Sequence, residues 1–262
     1  DHGVMYGVID FYRAARAAGI NPILGCEVYV APGSRFDREI GSGDDRYYHL
    51  VLLAENNQGY ANLMKIVSKS FVEGFYYKPR VDLQLLEKYH EGLIALSACL
   101  AGEVARFLTR GMYEDAKAAA LRYQDIFGKG NFFLELQDHG IPEQQNVNQQ
   151  LLKMHRETGI ELVATNDVHY TLAEDAQPHD VLLCLQTGKK LSDENRMRYD
   201  GGQYYVKSPE EMERLFPYAT EALENTHKIA ERCHVEIEFG VTKLPKFDVP
   251  EGYTSWEYLN EL

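Results

Sequence analysis

Five side chains able to bind a metal ion fall inside or beside short apolar runs. Glu27 lies within Ile23-Leu24-Gly25-Cys26-Glu27-Val28-Tyr29-Val30, and His49 opens the run Tyr48 to Ala54. Cys99 follows Leu96-Ser97-Ala98, and Asp167 and His169 follow Leu162-Val163-Ala164. An unpaired carboxylate in an apolar run costs several kcal/mol or takes up a proton, so Glu27 needs a cation or hydrogen-bond donors. Asp167 and His169 are two residues apart; in extended chain both side chains share one face and Val168 takes the other, so both can reach one metal cluster at a strand end. Together these N, O and S donors suit zinc or manganese better than calcium or magnesium.

Each residue also has a plainer reading. His49 alone fits a hydrogen-bonded core histidine, Cys99 a small buried hydrophobe, and Glu27 an ion pair with an arginine such as Arg80. Asp1-His2-Gly3 fits a helix cap, and Asp167-x-His169 a loop anchor. Glu135, Asp138 and His139 end the run Phe132-Phe133-Leu134, where they either support a site, touch substrate or cap the turn before Pro142. Lys78-Pro79-Arg80 offers a guanidinium fork to a phosphate or forms a surface turn. His179-Asp180 reads mainly as a helix start. Walker, Rossmann and GxSxG motifs are absent.

These donors need elements to hold them. The hydrophobic periods predict the order α, β, β, α, β, α, β, α, β, then helices. Strands are expected at Ile23 to Val30, Tyr48 to Ala54, Gly92 to Ala98, Phe132 to Gln137 and Glu161 to Thr165. Helices are expected at Met5 to Ala18, Ala61 to Phe71, Ala101 to Leu108, Glu114 to Phe127 and Gln144 to Glu157. Further helices follow at Ala176 to Leu185, Pro209 to Leu215 and Thr220 to Cys233. Alternation of this kind favours a parallel α/β sheet, closed as a barrel or open and doubly wound. In parallel α/β barrels the active site sits at the C-terminal strand ends, which is where most of the donors fall. Pro32 to Arg46, rich in Gly, Asp and Arg, reads as a mobile surface loop.

The 262 residues carry 27 Lys and Arg against 40 Asp and Glu, a formal charge of −13. Such a chain repels a polyanion at long range, which excludes tight stand-alone nucleic-acid binding driven by counterion release. A local basic groove, bound cations or a tethered partner would still bring a phosphodiester in. Cys26, Cys99, Cys184 and Cys233 are far apart with no CxxC spacing, which argues against a disulfide scaffold or zinc ribbon and for a reducing cytoplasm. No apolar run approaches the roughly 20 residues that span a bilayer. A start at Asp1 without Met and an end inside a helix-like pattern mark the sequence as an excerpt.

Five segments together resemble the polymerase and histidinol phosphatase (PHP) domain: Asp1-His2-Gly3, Gly25-Cys26-Glu27, Tyr48 to Ala54, Ser97-Ala98-Cys99-Leu100-Ala101-Gly102-Glu103 and Thr165-Asn166-Asp167-Val168-His169-Tyr170. Phe75 to Asp82 and His179 to Lys189 look like the PHP domains at the N-terminus of bacterial replicative DNA polymerase III alpha subunits. The resemblance implies a distorted seven-stranded (β/α)7 TIM-like barrel over residues 1–240, without its first, His-x-His-bearing strand. Residues 241–262 are expected to form a linker and the start of the following polymerase region. It also implies a metal cleft for up to three Zn2+ and/or Mn2+ ions, with His2, Glu27, His49, Cys99, Asp167 and His169 as ligands. Cys99 stands where many members have His. Glu27, Asp167 and His169 carry catalysis in this picture, while Asp1, Arg80 and His139 support the ligands or touch substrate.

The implied activity is phosphoester hydrolysis, in the polymerase a proofreading 3′ to 5′ exonuclease. The implied partners are DNA, delivered by the attached polymerase, and the other holoenzyme subunits. A scaffold that has lost catalysis and binds the polymerase and its proofreading subunit is the main rival. A small-molecule phosphatase is the third reading, disfavoured by the polymerase-like segments and by Leu244 to Pro250, which looks like a linker.

Overall fold

The computed structural model describes residues 1–39 and 46–262. The chain opens with α1 (Val8–Ala17), β1 (Gly25–Val30), β2 (Tyr48–Ala54), α2 (Asn57–Val72), β3 (Arg80–Val81) and α3 (Leu83–Tyr89). It continues with β4 (Leu93–Leu96), α4 (Glu103–Thr109), α5 (Tyr113–Phe127), β5 (Phe132–Leu136), α6 (Pro142–Thr158) and β6 (Leu162–Ala164). Four helices follow: α7 (Ala176–Thr187), α8 (Pro209–Leu215), α9 (Thr220–Arg232) and α10 (Ser255–Glu261). Local chemistry sets many boundaries. Asn56 and Asp82 accept from the amides of Gly59 and Leu85 to start α2 and α3. Pro142 opens α6, and Gly159 in the left-handed region ends it.

The strands form one sheet in the order β3-β1-β2-β4-β5-β6. β2 is antiparallel to β1 and to β4, while β1 with β3, β4 with β5, and β5 with β6 are parallel. The expected parallel sheet is therefore mixed: β2 runs against the other five. A parallel neighbour requires a crossover connection; β2 instead reverses, which puts its first residues at the sheet end where the other strands finish. The mostly parallel α/β sheet agrees with a distorted TIM-like barrel that lacks a strand; among the described residues β3 and β6 are not paired with each other. At the β6 edge, Asn225 of α9 donates to the Leu162 carbonyl at 2.8 Å, covering an acceptor that a closing strand would otherwise take.

Burial divides the sheet into two faces. Leu50, Leu52, Leu93, Phe132 and Leu136 pack with Ile66 of α2 and Met154 of α6 in the main core. Each such side chain contributes about 1.5 to 3 kcal/mol through the area it removes from water. The other face carries a smaller cluster, Ile94, Leu96, Phe133 and Val163 against Ile229 and Cys233. β2 alternates between the two, with Tyr48, Leu50, Leu52 and Ala54 buried and His49, Val51 and Leu53 half-buried. That alternation turns His49 away from the main core, onto the face that also carries Glu27.

The Pro32 to Arg46 loop divides: Arg35 is buried and pairs with Asp82 and Glu73 at 2.9 and 2.7 Å, pinning that part of a segment expected to be mobile. Residues 40–45 of it lie outside the described residues. All four cysteines are free. Among the described residues no helix is long and apolar enough to cross a membrane.

Candidate metal centre

Three loops and two strands bring the six donors together. Residues 1–3 lie alongside β1 as a parallel bridge: Gly3 N donates to the Glu27 carbonyl at 2.7 Å and Glu27 N to the Asp1 carbonyl at 3.1 Å. Gly3 has φ +70, and a Cβ there would meet the Tyr29 ring at 2.6 Å, so only glycine lets this segment approach. The bridge sets His2 Nδ1 2.7 Å from Glu27 Oε1. From β2, His49 Nδ1 reaches the same oxygen at 3.1 Å. Glu27 thus pairs with two imidazoles and not with Arg80.

Cys99 arrives on the loop after β4. Ala98 there has φ 63, and His49 N donates to the Ala101 carbonyl at 3.0 Å, seating the loop on β2. A Cβ on Gly102 would lie 2.1 Å from the Ser97 carbonyl oxygen, so the tight return of this loop needs glycine. Cys99 Sγ then lies 3.6 Å from His49 Nδ1. The ligand atoms of Glu27, His49 and Cys99 all lie within 4.8 Å of one another.

Asp167 and His169 come from the loop after β6. β6 ends at Ala164, and Asp167 has φ 43, so the two side chains converge through a left-handed turn and not through the extended spacing expected. Asn166 anchors the loop by donating to the carbonyls of Gln203 and Tyr205 at 3.0 and 2.7 Å. His169 Nδ1 lies 2.7 Å from the Asp167 carbonyl and 3.9 Å from its carboxylate. A proton on Nδ1 donated to that carbonyl leaves Nε2 as the ligand atom. The His169 ring stacks on His2 with centroids 5.6 Å apart, which completes a contact series Cys99, His49, Glu27, His2, His169, Asp167.

Electrostatics follow from this crowding. Burial raises the Glu27 carboxyl, but the hydrogen bond from His2 and the charge of His49 outweigh it, leaving the group below the usual carboxylate range. The His2 bond to Glu27 raises that imidazole, whereas burial lowers His49. Burial and then the charges of Asp167 and Glu27 push the Cys99 thiol far up. Burial also raises Asp167. Two carboxylates, three imidazoles and a thiol together have the donor chemistry of a divalent metal site with zinc-like character.

A cavity of about 480 Å³ runs from Asp1, His2, Glu27 and Asp167 down to Leu53 and Leu96. A larger one of about 830 Å³ opens beside Arg38, Arg46 and Arg80 and touches none of the six donors.

The three supporting candidates stand in different places. Asp1 lines the smaller cavity beside His2 and Glu27, its carboxylate accepting from Gly7 N just before α1 at 2.8 Å. Arg80 is buried on β3, donating to the backbone carbonyls of Gly74, Arg35 and Asp37. His139 stacks on Tyr204 with centroids 3.8 Å apart and contacts the Asn166 carbonyl and the Gln144 side chain, each at 2.8 Å. It holds the Asp167 loop from behind.

Other neighbours went unrecognised in the sequence. Tyr47 and Tyr29 pack on His49, and Tyr199, Tyr204 and His179 surround His169. Burial and the charge of Asp167 push the Tyr199 and Tyr204 hydroxyls up to about 12, so both stay protonated donors at neutral pH. Tyrosines spaced along irregular segments give no periodic signal that would single them out. Glu135, one of several candidates near the end of β5, is almost fully buried beneath the centre, and burial pushes its carboxyl up to about 7.

A mixed α/β sheet with N, O and S donors gathered on strands and strand-end loops defines the class, an α/β protein with a candidate metal site. Residues 1–139 match the family model described as the PHP domain, and the chain belongs to that family. It is 46% identical to the DNA polymerase III subunit alpha of Treponema pallidum over 98% of its length, and 45% identical to that of Thermus aquaticus over 100%. The Borreliella burgdorferi DNA polymerase III subunit alpha is 47% identical over 100%. The chain spans 22%, 22% and 23% of these three relatives.

Proposed function

We propose that the chain is the PHP domain of a DNA polymerase III alpha subunit, and that its centre binds Zn2+ and/or Mn2+ and hydrolyses phosphodiesters as a 3′ to 5′ exonuclease. The observation that carries this reading is the unbroken contact series of six donors from Cys99 to Asp167. Full-length similarity to polymerase alpha subunits supplies the substrate class. In this reading residues 1–240 are the PHP domain and 241–262 lead into the polymerase.

Bound divalent cations would polarise the phosphoryl oxygens, lower the pKa of water and stabilise the leaving 3′ oxygen. Glu27, whose Oε1 meets the imidazoles of both His2 and His49, would supply the central carboxylate ligand. His2, His49, Cys99, Asp167 and His169 fix coordination around it. His2, its side chain 53% exposed, stands at the open side of the cavity, where a strand end would enter. The protonated hydroxyls of Tyr199 and Tyr204 offer donors beside Asp167. DNA and the other holoenzyme subunits are the proposed partners, the strand being delivered by the rest of the polymerase.

Metal analysis of the intact polypeptide purified without chelator tests this reading. More than one equivalent of zinc or manganese is expected, with metal-dependent release of nucleotides from a 3′ end. Replacing Asp167 and His169 together by Ala is expected to lower bound metal by about tenfold or more and leave the fold intact, in line with losses seen when metal sites are disrupted. A folded protein that binds no metal when offered it would favour the scaffold role instead.

A further inference from the structure

We propose that Glu135 is the positioning residue of the metal centre, holding the Cys99 and Asp167 loops in ligating geometry from one buried carboxylate. The inference rests on the metal reading above. Glu135 lies on β5 between β4 and β6, two residues beyond Phe133 on the same face as the donors. Its Oε2 accepts from Ala98 N at 2.8 Å, and its Oε1 accepts from the Thr165 hydroxyl and from Gln137 Nε2. Its own amide donates to Ser97 Oγ at 2.8 Å. One side chain therefore ties the loop after β4 to the loop after β6.

Both loops hold strained backbone beside a donor. Ala98, one residue before Cys99, has φ 63, and Asp167 itself has φ 43. A non-glycine residue in such a region costs about 1 to 3 kcal/mol and persists only where its surroundings impose it. The Ala98 amide is fixed directly by Glu135, and Asp167 stands two residues beyond the Thr165 hydroxyl that Glu135 accepts.

A plain packing role fits poorly. Among the described residues Glu135 makes no ion pair, and a carboxylate buried without a cation is a costly way to fill space on an apolar face. Two of its three side-chain bonds go to the loops that carry Cys99 and Asp167.

The test is cobalt titration of the intact polypeptide, read by absorption. A cobalt-thiolate band that disappears in Cys99→Ser reports whether Cys99 reaches the metal, without any need for turnover. Glu135→Gln, nearly isosteric, is expected to weaken cobalt binding by about tenfold or more and to diminish the thiolate band per bound ion, with an unchanged circular dichroism spectrum. Thr165→Val, which removes a donor on the β6 side, is expected to diminish the same band although it lies on the other loop. That variant keeps the proposal falsifiable if Glu135→Gln does not fold. Unchanged affinity and band in both variants overturns the assignment of Glu135 and leaves the metal reading standing. A wild-type protein that takes up no cobalt overturns the metal reading and the proposal together.

Discussion

At the scale of single residues, the site depends on side chains whose hydrogen-bond capacity is spent locally. His139 is the case outside the ligand set. Both ring nitrogens are engaged and the ring lies on Tyr204, so burial lowers its pKa despite the opposing Asn166 carbonyl and the charges of Asp167 and Asp138; Lys207 acts in the same direction as burial. The unfolded chain then takes up a proton near pH 6.5 that the folded state refuses until lower pH. Because the unfolded state binds more protons in that window, His139 makes stability rise with pH there and fall as pH drops through about 6.5. Urea unfolding should find His139→Gln less stable than wild type by about 1 to 2 kcal/mol at neutral pH, from the lost ring contact and hydrogen bonds. The gap should narrow as pH falls below 6, since glutamine does not titrate; a gap that stays constant would refute the assignment.

At the scale of elements, the sequence was informative where periodicity and composition act on one segment at a time. The apolar run of β2 marked its limits at Tyr48 and Ala54, and Glu27 stood out as a carboxylate inside an apolar strand. Strand direction was not legible, because an alternating pattern is the same for parallel and antiparallel neighbours. β3 is only two residues long and its pairing with β1 is purely tertiary. The Asp167 turn escaped because a left-handed φ at a non-glycine residue is imposed from outside, here by Asn166 and the Gln203 to Tyr205 segment. Glu135 could not be separated from Asp138 and His139 for the same reason. The loop after β4 shows how far the site depends on its backbone. Gly102→Ala would drive a methyl group to 2.1 Å from the Ser97 carbonyl, forcing the Cys99 loop away from β2. The expected cost is about 2 kcal/mol or more, within the range for backbone strain, with a matching loss of zinc affinity. A variant with wild-type melting temperature and metal content would show that the loop does not set the site.

At the scale of the whole molecule, charge and length point the same way. A formal charge of −13 opposes the approach of DNA, and the carboxylates of Glu27 and Asp167 place part of it where the proposed phosphodiester would bind. Phosphate contacts and counterion release supply most non-specific affinity. In the proposed reading, productive binding would draw on cations held at the centre and on segments of the kind that the relatives carry in the remaining four-fifths of their length. The 262-residue chain alone should bind free single-stranded DNA more weakly than about 1 µM at physiological salt, the upper end of ordinary non-specific affinity. Adding manganese or zinc should tighten binding measurably, and the double change of Asp167 and His169 to Ala should abolish that metal-dependent increment while leaving the weak background untouched. Fluorescence anisotropy with a labelled oligonucleotide separates the two contributions. Nanomolar affinity without metal would mean that a basic surface elsewhere on the fold captures DNA directly, and delivery by the polymerase would then be unnecessary.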